Sequence, residues 1–190
     1  MTELETYIKS YFDVVKTEDI TLVASFFKSK TIKKGEFLLR SGSCRSCLSF
    51  VHSGILRMFA TANLKEVTQW ISTKGNFSGD LSSFIFDIPS HMCIQALADA
   101  EISYISKEDY KRLGELLPKW HELEKLFIAR CFITLEQRIF SHLSMTAEER
   151  YHAFFKQNTE LFNQVPLQYI ASMLGMTPET FSRIRKKQLL

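Results

Sequence analysis

Near the C-terminal end, Glu179, Thr180, Ser182, Arg183, Lys186 and Lys187 bring an acceptor, two hydroxyls and three fixed positive charges close together. A glutamate can accept from cytosine N4, and an arginine can donate two hydrogen bonds to guanine O6 and N7. Threonine and serine hydroxyls suit phosphate oxygens. Helical spacing places these side chains on the outward side of a segment whose inward side is Phe181 and Ile184. The chemistry they offer is recognition of double-stranded DNA. The same spacing also allows a plain surface arrangement, an ion pair between Glu179 and Arg183, four residues apart.

The elements that would hold this set are legible just before it. Thr177 reads as an N-cap and Pro178 as the first helical residue, so a helix starts there. Gly175 reads as the end of a preceding short helix, where a positive φ is needed. That helix begins near Leu167 and has Ile170, Ala171 and Leu174 on its apolar face. Two helices joined by a tight turn form a helix-turn-helix pattern, with its second helix in the major groove. Charge agrees. Residues 1–150 hold 19 Lys+Arg and 19 Asp+Glu, whereas residues 151–190 hold five and two, so the whole net charge of +3 lies in the last forty. A neutral body with a basic end suits a polyanionic partner.

Upstream, turn-formers divide the chain. Gly35, Gly42, Gly54, Gly75 and Gly79 crowd one region, whereas no glycine lies between Gly114 and Gly175. Residues 4–29 read as short helices, with apolar positions Leu4, Ile8, Tyr11, Phe12, Ile20, Val23, Phe26 and Phe27. Residues 31–106 read as short strands, around 37–39, 48–51, 55–59, 67–71, 92–97 and 102–105, which indicates a sandwich, barrel or jelly roll. A long helix is expected from Pro118 to about Leu143. Leu126, Ile133 and Phe140 recur in it every seven residues, beside Leu123 and Phe127, with Leu135 and Ile139 on another side. Its apolar girth exceeds one buried face, so it is expected to serve two surfaces, the body of the chain and a second copy. Leu123, Leu126, Phe127, Arg130 and Ile133 are the candidate dimer contacts. Thr146-Ala147-Glu148-Glu149 is a capping box that opens another helix.

This order of parts resembles the cyclic-AMP-receptor/fumarate-nitrate-regulator (Crp/Fnr) family. Lys34-Gly35-Glu36, Gly42 and Val51-His52-Ser53-Gly54-Ile55-Leu56-Arg57 resemble its early strands and turns. Phe77-Ser78-Gly79-Asp80-Leu81 is similar to its phosphate-binding cassette, and Thr177-Pro178-Glu179-Thr180-Phe181-Ser182-Arg183 to its recognition helix. The resemblance implies an α+β chain in three parts. These are a cyclic-nucleotide-binding-type jelly roll over 1–116, a dimerisation helix over 117–144 and a helix-turn-helix domain over 145–190. It implies a homodimeric transcription regulator. Duplex DNA is its partner, and a small-molecule effector and RNA polymerase are further ones such a regulator can take. Phe77, Gly79, Asp80, Leu81, Ser90 and His91 are the implied ligand-binding residues, and Thr177, Glu179, Thr180, Ser182, Arg183, Lys186 and Lys187 the DNA-binding ones.

The chain departs from the family pattern in three places. Ser90 and His91 stand where cyclic-AMP-binding members carry an Arg-Ser pair, and no arginine lies between Arg57 and Arg112. A phosphate would lose its bidentate partner there, so cyclic AMP is not the expected effector. Pro178 replaces an arginine common at the start of the recognition helix, so a different operator is expected. With three residues after Lys187, the usual wing hairpin is not expected. The alternative reading is a ligand-binding or interaction module with a vestigial helix-turn-helix.

Other candidates for chemistry are weaker. Cys44-Arg45-Ser46-Cys47 supplies two thiols and no second pair follows, while Cys93 and Cys131 are isolated. His52 and His91 have no companions at ligand spacing. No enzyme activity, cofactor or metal is expected. Trp70 and Trp120 read as core. The N-terminus carries Glu3 and Glu5 rather than a basic, apolar leader, and no long apolar run occurs, so a cytoplasmic protein without membrane contact is expected.

Overall fold

The computed structural model describes residues 1–11 and 16–188; the apolar position Phe12 lies outside the described residues. Helices α1 (Glu3–Tyr11) and α2 (Thr17–Ser25) lead into strands β1 (Lys28–Ile32), β2 (Phe37–Leu39), β3 (Cys47–Ser53), β4 (Leu56–Ala62), β5 (Lys65–Ser72) and β6 (Phe77–Ser78). Helix α3 (Leu81–Phe86) precedes β7 (Cys93–Ala96) and β8 (Ala100–Ser106). Then come α4 (Lys107–Leu116), α5 (Trp120–Ser144), α6 (Ala147–Gln157), α7 (Leu161–Gln164), α8 (Leu167–Met173) and α9 (Pro178–Gln188).

The strands form two four-stranded antiparallel sheets, ordered β1-β8-β3-β6 and β2-β7-β4-β5. Strand β7 buries alternate residues, Ile94 and Ala96, whereas β3 is buried throughout Leu48–Val51. Ile32, Leu39, Val51, Leu56, Ile94 and Ile102 fill the space between the sheets. The jelly roll is thus the expected one, with strands β1 and β6 added. Phe26 and Phe27 are not helical as expected: α2 ends at Ser25, because Lys28 already pairs with Tyr104 of β8. Both phenylalanines still pack on the cluster formed by α1, α2, β3 and the start of α5.

Strand β5 is an edge strand with one irregularity. Met58 faces Trp70 but Phe59 faces Thr68, so Gln69 is an extra residue bulged out of the ladder. Helix α5 starts after Pro118 rather than at it, capped at Lys119. Trp120, Leu123 and Phe127 of its first half are buried against Ile8, Phe50 and Leu113. Leu123 and Phe127, expected at a dimer contact, therefore belong to the chain's own core. The reason is geometric: they lie on the side of α5 that faces the α1/α2 layer. Phe127 meets Phe77 edge-on, with ring centroids 5.3 Å apart.

The C-terminal helices have their own core. Tyr151, Phe162, Ile170, Ala171, Phe181 and Ile184 form it, and Ile55 and Ile71 of the jelly roll join it. The expected capping box is formed: the Thr146 amide donates to Glu149 at 2.7 Å, and the Glu149 amide donates back at 3.3 Å. No helix among the described residues is long and apolar enough to cross a membrane.

Candidate functional site

The turn before α9 has the predicted chemistry. Gly175 has φ +66°, and a Cβ there would stand 3.2 Å from the His142 ring. Any other residue would be strained and crowded at this point. The Thr180 amide donates to Thr177 Oγ1 at 3.2 Å, so Thr177 does cap the helix that Pro178 opens. Phe181 and Ile184 are buried and anchor α9 on Tyr151 and Phe162. Glu179, Ser182, Arg183, Lys186 and Lys187 are exposed on the opposite side, and Thr180 is half-buried.

These exposed side chains, with Pro178, rim one shallow concavity. Glu179 and Arg183 form no ion pair, although their spacing allows one. Hydrogen bonds from the Glu179 amide and from Thr177 hold the Glu179 carboxyl below its usual range. Lys187 lies 3.5 Å from Glu148 of α6, an exposed pair that a phosphate could exchange for. Among the described residues no strand follows α9.

A cavity of 570 Å³ separates the jelly roll from α5. Phe77, Gly79, Asp80, Leu81 and His91 of the predicted ligand set line it; Ser90 does not. Gly79 is required by a close approach, since a Cβ would stand 2.8 Å from the Cys47 carbonyl. Asp80 caps α3 and is almost fully buried. Its carboxylate accepts from the Ser82 amide at 3.1 Å, the Ser82 hydroxyl at 2.7 Å and the Ser90 hydroxyl at 2.6 Å. Burial opposes ionisation of Asp80, but the hydrogen bonds from Ser90, Ser82 and Ser83 outweigh it and leave the carboxyl below its usual range. Ser90 is spent on Asp80 and on Met92, behind the wall. His91 is largely exposed, 4.0 Å from Asp80. The remaining wall is mostly apolar, with Met58, Trp70, Met92 and Phe127.

Two arginines that the sequence reading placed elsewhere, or did not use, are central here. Arg130, expected at the dimer contact, reaches the cavity and donates to the Ser10 carbonyl at 2.8 Å. Arg57 is fully buried on β4. It donates to Thr68 at 2.9 Å and to Glu66 at 2.6 Å, and its guanidinium lies between the rings of Phe59 and Tyr169. Tyr169 belongs to α8, so this stack joins the jelly roll to the helix-turn-helix. The Thr68 amide, on the open edge of β5, donates to the Ser172 hydroxyl of α8 at 2.9 Å. Trp70 is not core: it is half-buried beside this junction, whereas Trp120 is buried as expected.

The outer side of α5 is apolar and uncovered. Leu126 and Ile133, two of the predicted dimer residues, are 50% and 49% exposed, and Phe132, Ile139, Phe140 and Leu143 are more so. The weaker sequence signals stay weak. Cys44 is exposed, while burial pushes the Cys47 thiol up to about 11, away from reactivity. His52 bonds Ser103 at 2.7 Å and stacks edge-on against Phe50. Among the described residues no cluster could hold a metal ion.

Residues 29–115 match the model of the cyclic nucleotide-binding domain. No curated protein matches the sequence. Solved structures do. The catabolite activator protein of Thermus thermophilus is 22% identical, with 93% of this chain and 85% of that one covered at a TM-score of 0.58. FixK2 of Bradyrhizobium japonicum is 14% identical, with 85% and 83% covered at a TM-score of 0.70. CLP of Xanthomonas campestris, a c-di-GMP responsive global regulator, is 15% identical, with 92% of each chain covered at a TM-score of 0.66. At these identities the likeness is one of fold. Residues 29–115 thus form a cyclic nucleotide-binding-type domain, and the chain as a whole shares the fold of these solved structures.

Proposed function

We propose that the chain is a homodimeric transcription regulator that reads duplex DNA with α9 and carries an effector cavity unsuited to cyclic AMP. The observation that carries the first part is the outward face of α9. A helix anchored by Phe181 and Ile184 presents Glu179, Ser182, Arg183 and Lys186 together, uncovered among the described residues. Side chains of these types on a helix of this placement suit base edges and phosphates. In this reading 1–116 senses, 117–144 dimerises and 145–190 binds DNA, in the cytoplasm, with RNA polymerase as a downstream partner.

Dimerisation is supported by the uncovered apolar side of α5. Its large side chains would be costly to leave in water, and an antiparallel or parallel copy of the same face would cover them. The doubt over cyclic AMP is supported by the Asp80–Ser90 pair. A buried carboxylate and a spent hydroxyl occupy the place where a phosphate would need an arginine fork. Arg130 lines the cavity from α5, away from the Ser90–His91 position, and one of its N–H groups is already held by the Ser10 carbonyl. Selection of bound duplexes from a random pool tests the reading. A recurring, two-fold symmetric sequence is expected; recovery of no consensus would instead favour an interaction module with a vestigial helix-turn-helix.

A further inference from the structure

Two cavities meet at Trp70, and they differ in charge. The sensor cavity described above is lined by both the Asp80 carboxylate and the Arg130 guanidinium. The second, of 480 Å³, lies where β5, the end of α5, α6 and the end of α8 converge. Its polar wall includes Arg138, Arg150 and His142 with several amides, and no aspartate or glutamate lines it. Trp70, Ile71, Phe154 and Leu161 give it an apolar side.

Both guanidiniums are held in place, yet among the described residues neither is paired with a carboxylate. Arg138 donates to the Gln69 carbonyl at the β5 bulge and to the Met173 carbonyl at 2.7 Å. Arg150 donates to the Leu174 carbonyl at 2.9 Å and to the Met145 carbonyl at 2.7 Å. Among the described residues no carboxylate lies within 4.0 Å of either. Besides Gln69, their acceptors are carbonyls at the C-terminal ends of α8 (Met173 and Leu174) and α5 (Met145). A helix C-terminus carries about half a negative charge, so two helix ends offset roughly one of the two positive charges. An arginine does not shed its proton to relieve the rest. Burial weighs against the Arg138 charge in particular. The site is thus a hydrogen-bonding, acid-free recess with about one uncompensated positive charge and an apolar wall.

We propose that this interdomain cavity binds a small monoanion with an apolar body, an aromatic or aliphatic carboxylate. Its oxygens would take the free guanidinium hydrogens of Arg150 and Arg138, and its body would lie along Trp70 and Phe154. The volume is that of ordinary small-ligand pockets, which span about 300–1,000 Å³. Because Arg138 bridges Gln69 of the jelly roll and Met173 of α8, such a ligand would also bear on how the helix-turn-helix is docked. That last consequence, for DNA, rests on the function proposed above; the binding itself does not.

Calorimetric titration of the full chain without DNA is the test, with benzoate and hexanoate as probes and benzamide and hexanamide as their neutral counterparts. At least one carboxylate should saturate a single site per chain, with its amide weaker by roughly tenfold or more. Arg150→Gln should weaken the carboxylate by a similar factor and leave the amide unchanged, while Arg150→Lys retains most of the binding. Gln157→Glu, on an exposed residue of the wall, should abolish it without touching the core. Equal binding of acid and amide, unaltered binding in Arg150→Gln or Gln157→Glu, or no saturation by either carboxylate at millimolar concentration would overturn the proposal. The absence of DNA keeps that outcome separate from any failure of the duplex selection.

Discussion

The guanidinium carbon of Arg57 lies 3.7 Å from the centre of the Tyr169 ring, so a strand of the jelly roll and the first helix of the helix-turn-helix are joined by one stacked pair. Arg57 also lies 4.1 Å from the centre of Phe59, which closes the stack on its other side. Tyr169→Leu keeps an apolar contact and removes the aromatic face. It should cost about 1–2 kcal/mol, the scale of a desolvated cation–π contact. Chemical denaturation should show the loss, and hydrogen exchange should show faster opening of α8. A variant with unchanged stability and exchange would show that the stack does not hold the two parts together.

The dimer prediction now separates residues that the seven-residue pattern grouped. Ile133→Glu places a charge on the uncovered side of α5 and should shift the protein from dimer to monomer while it stays folded. Phe127→Glu places a charge beside Phe77 in the core and should unfold the protein outright, by several kcal/mol. Light scattering with circular dichroism distinguishes these results. A wild-type monomer at micromolar concentration, with and without DNA, would count against the dimer.

Acid should weaken the jelly roll through Asp80. Its folded-state pKa lies below the unfolded value of about 3.9, so its contribution is complete above that pH and fades as the pH falls through the folded value. Asp80→Asn should therefore reduce stability at neutral pH and flatten its decline below about pH 4. Denaturation midpoints across that range measure both effects, and an unchanged slope would remove Asp80 from the account.

Cyclic AMP and cyclic GMP should show no low-micromolar binding by calorimetry, and neither should tighten the hold on DNA. Saturable binding of that strength to the sensor cavity would mean that Arg130 leaves Ser10 to meet the phosphate.

Much of this was legible in the chain because it depends on local chemistry. Thr146, Thr177, Pro178 and Gly175 mark helix ends through their own caps and dihedrals, and the run of short apolar segments punctuated by turn-forming glycines marks the jelly roll. Phe26 and Phe27 misled because their apolar spacing suits a helix, whereas the pairing of Lys28 with Tyr104 is a long-range choice. Leu123 and Phe127 lie beside Leu126 and Ile133 in one broad apolar girth, and only the position of α1 and α2 decides which face is core. Arg57 and Arg138 gave no signal, since their partners Tyr169, Gln69 and Met173 are distant in sequence. Nothing in a list of residues shows that a serine such as Ser90 turns behind a wall instead of into the cavity.

Arg183 is the direct test of the central claim, that α9 reads DNA. Titration of wild type and Arg183→Ala against the selected duplex and its single-base variants, at fixed salt, should show a loss of about 1–3 kcal/mol and relaxed preference at one base pair per half-site. Lys187→Ala should instead weaken all duplexes alike and lower the salt slope by about one. Unchanged affinity and unchanged base preference in Arg183→Ala would contradict the assignment of α9 as the recognition helix.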